Sequence, residues 1–194
     1  MHPFTSRWNH NSELYPLVAD LVEGHRVVLD VGCGDGTLAR YLVEQGHEVL
    51  GIDRDLDVLP ADAEGAHFEL GDATNLPYTH DSFDAVVAVA SLHHNRDQGL
   101  VLAEMRRVLR PGGRIVVVGL AADRTPQDYA RSAADAVRST WRARGTEAWK
   151  PGCVEADPAL GWDETRTLIG EYLEGATWAR EGSFRYVATW DRPA

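Results

Sequence analysis

Three glycines stand at alternate positions in VLDVGCGDGTL (28–38), at Gly32, Gly34 and Gly36, behind an apolar run interrupted by Asp30. Glycine tolerates left-handed backbone and carries no Cβ, so such a turn offers bare backbone and free N–H groups to a ligand. Between a strand and a helix it is a nucleotide-binding device. What is missing narrows the choice of nucleotide. A dinucleotide fingerprint needs its third glycine where Thr37 stands, and a phosphate loop needs a lysine that this turn lacks. Asp30 would repel a pyrophosphate, but it suits a ligand that brings an ammonium or sulfonium cation. The turn therefore reads as a cradle for a nucleoside with a cationic amino-acid tail.

The elements around the turn follow from apolar period and breakers. Strands are expected at 26–32, 47–53, 66–72, 83–90 and 113–120. Helices are expected at 37–46, with Gly46 closing it, and at 99–110, with Leu102, Met105 and Leu109 facing the core. Pro60 and Gly65 leave room for only a short or irregular helix between the second and third strands. Strands alternating with helices imply a parallel sheet covered on both faces. Beyond 120 the pattern changes to a helix at 125–145, a loop at 146–162, a helix at 163–175 with Asp163 as N-cap, and a hairpin at 176–190 turning at 181–183. Phe184, Tyr186, Ala188 and Trp190 are expected on one face of its second strand.

LDVGCGDG resembles the first motif of the class I S-adenosylmethionine-dependent methyltransferases, of the small bacterial type that acts on small molecules. The resemblance covers about 29–120, and more loosely the rest of the chain. GIDRD resembles the second motif, GDATNLPY the third, and DSFDAVVAVASLHH and LRPGGRIVVVG the fourth strand and the turn before the fifth. Any one of these is weak, whereas five in order are specific. The family implies an α/β fold: a Rossmann-like seven-stranded, mostly parallel sheet with an antiparallel last strand and helices on both faces. The chain is then one domain. Its parts are a cofactor-covering segment (1–24), a cofactor-binding core (25–120), a substrate-side insertion (121–162), and a closing helix and hairpin (163–194).

The resemblance also implies site residues. S-adenosylmethionine would be held by Asp30, Gly32, Cys33 and Gly34, by Asp53 and Arg54 at the ribose, by Asp72 and Ala73 at the adenine, and by Val89. RWNHNSELYPLV (7–18) would fold over it, with His10 and Asn11 donating to the methionyl carboxylate while Trp8 and Tyr15 exclude water. Methyl transfer needs positioning more than protein chemistry, because the cofactor supplies the leaving group. A hydroxyl acceptor would also use a base. His93 and His94 just past the fourth strand, and Asp123 past the fifth, are the candidates. Tyr129, Trp141, Trp149 and Trp162 are candidates for an apolar substrate pocket.

Composition sets the outer bounds. A 44% hydrophobic, 25% charged chain of 194 residues suits one globular domain. A net charge of −11 with no basic cluster disfavours nucleic acid, leaving a small-molecule methyl acceptor, O- or N-centred, as the expected substrate. No apolar run approaches the ~20 residues that span a bilayer. Two cysteines, Cys33 and Cys153, form no disulfide framework and fit a cytoplasmic protein. No metal is expected, and either a monomer or a homodimer is compatible. Two other readings stay open: a cofactor-binding module without catalysis, and an NAD-dependent oxidoreductase, which the glycine spacing and Asp30 disfavour.

Overall fold

The computed structural model describes residues 7–63, 65–142, 147–148, 156–181 and 184–194. Its strands are β1 (Arg7–Trp8), β2 (Val27–Val31), β3 (Glu48–Asp53), β4 (Ala66–Leu70), β5 (Phe83–Val89), β6 (Leu109–Leu120), β7 (Glu147–Ala148), β8 (Thr177–Arg180) and β9 (Arg185–Asp191). Its α-helices are α1 (Tyr15–Leu21), α2 (Thr37–Glu44), α3 (Gln98–Val108), α4 (Pro126–Arg142) and α5 (Trp162–Tyr172). Seven strands form one sheet in the order β4–β3–β2–β5–β6–β9–β8. The pairings from β4 to β6 are all parallel, while β9 runs antiparallel to both β6 and β8.

The apolar runs explain the layering. Successive side chains of a strand point to opposite faces, and here both faces are covered. Val28, Val49, Ala85, Val87, Val116 and Val118 pack with Val18 and Val22 from the α1 region and with Leu38 and Leu42 of α2. Leu29, Val31, Val86, Ala88, Ile115 and Val117 pack with Leu102 and Met105 of α3 and with Ile169 of α5. The chain leaves β2 toward β3 and β4, and later returns to lay β5 and β6 on the other side of β2. The strand order thus reverses between β2 and β5, and a crevice opens beyond their carboxyl ends.

The closing hairpin is part of the main sheet, with β9 inside it and β8 at its edge. β9 pairs with β6 from Arg114↔Asp191 through Leu120↔Arg185. Tyr186, Ala188 and Trp190 are buried as the alternation predicts. Phe184 departs from it: the residue sits before the strand at φ 61° and is exposed, because it belongs to the left-handed turn and not to the ladder. The predicted turn residues 182 and 183 lie outside the described residues.

Three other expectations are corrected. The described residues between β3 and β4 contain turns and no helix. Leu109 begins β6 instead of ending α3. Helix α5 starts one residue before Asp163, and Glu164 accepts from the Gly161 N–H at 2.7 Å to cap it. One element has no sequence signal at all. β1 and β7 pair in parallel as a separate two-stranded sheet, Arg7↔Glu147 and Trp8↔Ala148, tying the N-terminal segment to the insertion.

Candidate active site

The glycine turn joins β2 to α2 at the mouth of the crevice. Gly32, Gly34 and Gly36 all have left-handed φ, at 73°, 53° and 70°. Two of them answer to the protein's own packing. A Cβ at Gly32 would stand 2.3 Å from the Ser91 Cβ, and one at Gly36 would stand 2.6 Å from the Phe68 ring. Gly34 lines the cavity. The expected free N–H groups are not free. Those of Gly32 and Cys33 donate to the Ile52 carbonyl, that of Gly36 to the Cys33 carbonyl, and that of Gly34 to Asp53 Oδ2. With the N–H groups of Gly32, Cys33, Gly34 and Gly36 engaged, the turn offers a shaped surface more than an anion nest.

Two carboxylates support this turn in different ways. Asp53, at the end of β3, accepts from the Gly34 N–H and the Asp55 N–H at 2.9 Å each. Each of its oxygens keeps a lone pair for a further donor. Asp30 lies beneath the turn, 2% exposed, with no hydrogen-bond partner at Oδ2. Burial, reinforced by Asp53 and Asp35, pushes its carboxyl up to about 8. An acid so raised is stabilised in its charged form only when a cation arrives beside it.

One cavity of about 790 Å³ runs from this turn across the sheet. At one end it is lined by Gly34, Asp53, Arg54, Gly71 and Ala73, from the ends of β2, β3 and β4. At the other it is lined by Ser91, His93, His94 and Leu120, by Arg185 of β9, and by Asn9, His10, Asn11 and Tyr15 of the N-terminal segment. Ser91 joins the two ends, donating from Oγ to the Val31 carbonyl at 2.6 Å. Ala90 beside it holds a left-handed φ of 53°, a conformation that costs an L-residue about 1–2 kcal/mol.

The far end combines neutral rings with a fixed cation. The His93 and His94 rings lie 4.1 Å apart. Burial, helped by His94, lowers the His93 imidazole to about 4, and its Nδ1 has no partner. Burial and Arg54 lower His94 too. Arg185 donates from Nε and Nη2 to Asn11 Oδ1 at 3.1 and 2.7 Å. Burial brings it down to about 10, so it stays charged at neutral pH. Asn11 is held in turn by its neighbours: Asn9 Oδ1 accepts from the N–H groups of Asn11 and Ser12 at 2.9 and 2.7 Å.

Comparison with known proteins agrees with this arrangement. A methyltransferase-domain family matches residues 29–117. Methyltransferase GfsG of Streptomyces halstedii is 38% identical over 66% of this chain and 49% of its own length. The uncharacterized methyltransferase Rv0089 of Mycobacterium tuberculosis is 29% identical over 96% of this chain and 98% of its own. A crystal structure of Burkholderia thailandensis 1,6-didemethyltoxoflavin-N1-methyltransferase, with 1,6-didemethyltoxoflavin and S-adenosylhomocysteine bound, superposes with a TM-score of 0.63 at 21% identity. That superposition covers 96% of this chain and 81% of that one. The chain is thus similar to methyltransferases over residues 29–117 and shares the fold of the class I enzymes. It spans about half the length of the first curated relatives it matches.

The cavity gathers most of the residues expected from sequence. His10, Asn11, Tyr15, Gly32, Cys33, Gly34, Asp53, Arg54, Ala73, Val89, His93 and His94 all line it. Asp30 lies below the floor rather than on it. Asp72 is exposed and turned to its own loop, accepting from the Thr74 N–H and hydroxyl at 2.8 Å each, while Gly71 and Ala73 reach the cavity. Asp123 is placed elsewhere: Trp162 Nε1 donates to it at 2.8 Å, and the Arg180 guanidinium lies 3.6 Å away. It joins α5 and β8 and does not line the cavity, which withdraws it as a base.

The aromatic pocket is corrected as well. Tyr129 is exposed on α4, and Trp162 is buried beneath Arg180, whose guanidinium lies 3.5 Å from its ring centroid. Neither lines the cavity. The side chains of Trp8, Trp141 and Trp149 lie outside the described residues. Sequence reasoning missed Ser91 and Arg185. A serine after a strand gives no signal of its own, and Arg185 falls on the face of its alternating strand opposite Tyr186, Ala188 and Trp190.

Proposed function

We propose that this chain is a methyltransferase that holds the nucleoside of S-adenosylmethionine in the half of the cavity under β2, β3 and β4, extends the cofactor's methionyl tail to the N-terminal segment, and methylates a small-molecule O- or N-acceptor beside His93 and His94. One observation carries the reading: a single continuous cavity joins Gly34 and Asp53 at one end to His93 and His94 at the other. The site suits the cofactor's chemistry. The buried Asp30, with an oxygen lacking a partner, matches a cationic tail, and a turn whose Gly32, Cys33, Gly34 and Gly36 N–H groups are engaged matches a ligand without phosphate.

When bound, the cofactor supplies an activated methyl group and its own leaving group. The chain's residues then bind, orient and exclude water. Asp53 accepts from the ribose hydroxyls while holding Gly34, and the Ala73 backbone meets the adenine edge. His10 and the Asn11 amide donate to the methionyl carboxylate, and Tyr15 covers it. His93, which lines the cavity, takes a proton from the acceptor where one must leave. Its lowered pKa makes it a weak base, which suits an acceptor that reacts neutral or loses its proton late.

Calorimetry with S-adenosylhomocysteine tests the binding, and mass spectrometry of acceptor mixtures tests the transfer. No heat at millimolar ligand removes the reading. Tight binding with no product over a broad panel would instead leave a cofactor-binding module.

A further inference from the structure

Side chains disfavour a left-handed backbone, yet among the described residues three that are not glycine adopt one: Asp81, Ala90 and Phe184. Asp81 and Phe184 sit in exposed positions outside the cavity lining. Ala90 lines the cavity, directly after β5, at φ 53°. Alanine has no polar side chain with which to offset this conformation. Strain of this kind persists only where the surroundings over-determine it.

Three contacts hold the turn at Ala90. The Ala90 N–H donates to the Val118 carbonyl of β6 at 2.7 Å. The Ser91 hydroxyl donates to the Val31 carbonyl, at the end of β2, at 2.6 Å. The Ser91 Cβ fills the space that a side chain at Gly32 would need. One hydrogen bond and one left-handed alanine are worth free energies of the same order, so loss of the hydroxyl lets the strain decide the turn. The histidines ride on it. A short 3-10 turn, Leu92–His94, follows at once, and the Ser91 carbonyl accepts from the His94 N–H at 3.1 Å and from Asn95 Nδ2 at 3.2 Å. Ser91 thus grips the strand entering the glycine turn with its hydroxyl and the histidine turn with its carbonyl.

We propose that Ser91 is a positioning residue for methyl transfer: its hydroxyl holds the strained turn at Ala90 and so sets His93 and His94 against the methyl group of the cofactor. This rests on the methyl-transfer reading above. His93 is also acted on by His94, Arg185, Asp157 and the Ala156 carbonyl, so its titration reports whether the turn keeps its place among them.

S-adenosylmethionine carrying 13C at the transferred methyl is added to the wild-type protein, and nuclear Overhauser contacts from that methyl to the histidine rings are measured. Absence of binding removes the cofactor reading and this proposal together. Binding without a contact to either ring overturns the proposal alone. Ser91→Ala is expected to bind the cofactor within about threefold of wild type and to lose the contact. In the free variant His93, which burial and His94 hold down to about 4 in the wild type, should titrate about one pH unit or more higher. Adding Ala90→Gly removes the strain that the hydroxyl resists, and should restore both readouts. A contact that survives Ser91→Ala overturns the proposal, as does a loss that Ala90→Gly fails to restore. A roughly tenfold or greater loss of cofactor affinity in Ser91→Ala overturns it too, by making the serine a cofactor ligand. Should Ser91→Ala fail to fold, Ala90→Gly alone decides: a melting temperature raised by roughly 2–4 °C supports the strained clamp, and no gain overturns it.

Discussion

The two halves of the cavity are built on different principles. The nucleoside half comes from consecutive strand ends, β2 to β4, and is held mainly by backbone hydrogen bonds to the Ile52 carbonyl and to Asp53. The far half is assembled from segments distant in sequence. Arg185 reaches Asn11 across 174 positions, and Ser91 reaches Val31 across 60. A half built from local turns can change a side chain and keep its shape. A half built from distant contacts depends on the whole sheet being closed.

The largest test of that contrast is removal of 184–194. This takes away β9, the whole antiparallel ladder of β6, and the Arg114–Asp191 and Arg192–Asp81 ion pairs. It would also bare the edge of β6 and uncover Tyr186, Ala188 and Trp190's side of the core. The expected outcome is loss of soluble protein. A soluble truncation that still binds S-adenosylhomocysteine would show the nucleoside half to be independent of the closing hairpin.

Next in size is Gly32→Ala, at the seam between the halves. The added methyl meets the Ser91 Cβ at 2.3 Å, and the left-handed φ of 73° adds its own strain. Together these should cost about 2–4 kcal/mol, or roughly 5–15 °C in melting temperature. Ser91→Gly in the same protein should recover only part of the loss, because the backbone strain remains. A melting temperature unchanged by Gly32→Ala would mean that the two halves are not packed against each other there.

Asp53→Ala acts on the nucleoside half alone. It removes the acceptor of the Gly34 N–H and the proposed partner of the ribose, so affinity for S-adenosylhomocysteine should fall by about 1.5–3 kcal/mol. Unchanged affinity would show that the ribose is held elsewhere.

A further test is a pH titration of Asp30. Its carboxyl is raised from 3.8 to about 8 in the folded protein, so the folded state holds a proton that the unfolded chain has released. That contribution is complete below pH 4 and is lost as pH rises toward 8, at about 1 kcal/mol per pH unit. Asp30→Asn should flatten this fall in melting temperature while weakening cofactor binding. Binding of S-adenosylhomocysteine near pH 7 should release a proton in the wild type, read as a dependence of the calorimetric heat on buffer ionisation. A wild-type melting curve indifferent to pH between 5 and 8 would show that Asp30 is ionised without a ligand.

Several features of this protein were decided by the sequence itself. Buried parallel strands are continuous apolar runs, so β2, β3, β5 and β6 announce themselves. The alternation of Tyr186, Ala188 and Trp190 marks the strand that closes the sheet. The cofactor half is legible for the same reason: its residues lie within short loops after strands, where spacing and position coincide. Tertiary structure alone decided the rest. Gly32 and Gly36 owe their lack of a side chain to Ser91 and Phe68, which no local pattern reveals. Asp123 looked like a base by its place after β6, but burial against Trp162 and Arg180 makes it a strut. Arg185 enters the cavity only because β9 runs antiparallel and so brings its first residue beside the last residue of β6. Local sequence specifies turns and periods, whereas a contact between strands far apart in the chain exists only once the sheet has fixed their order and direction.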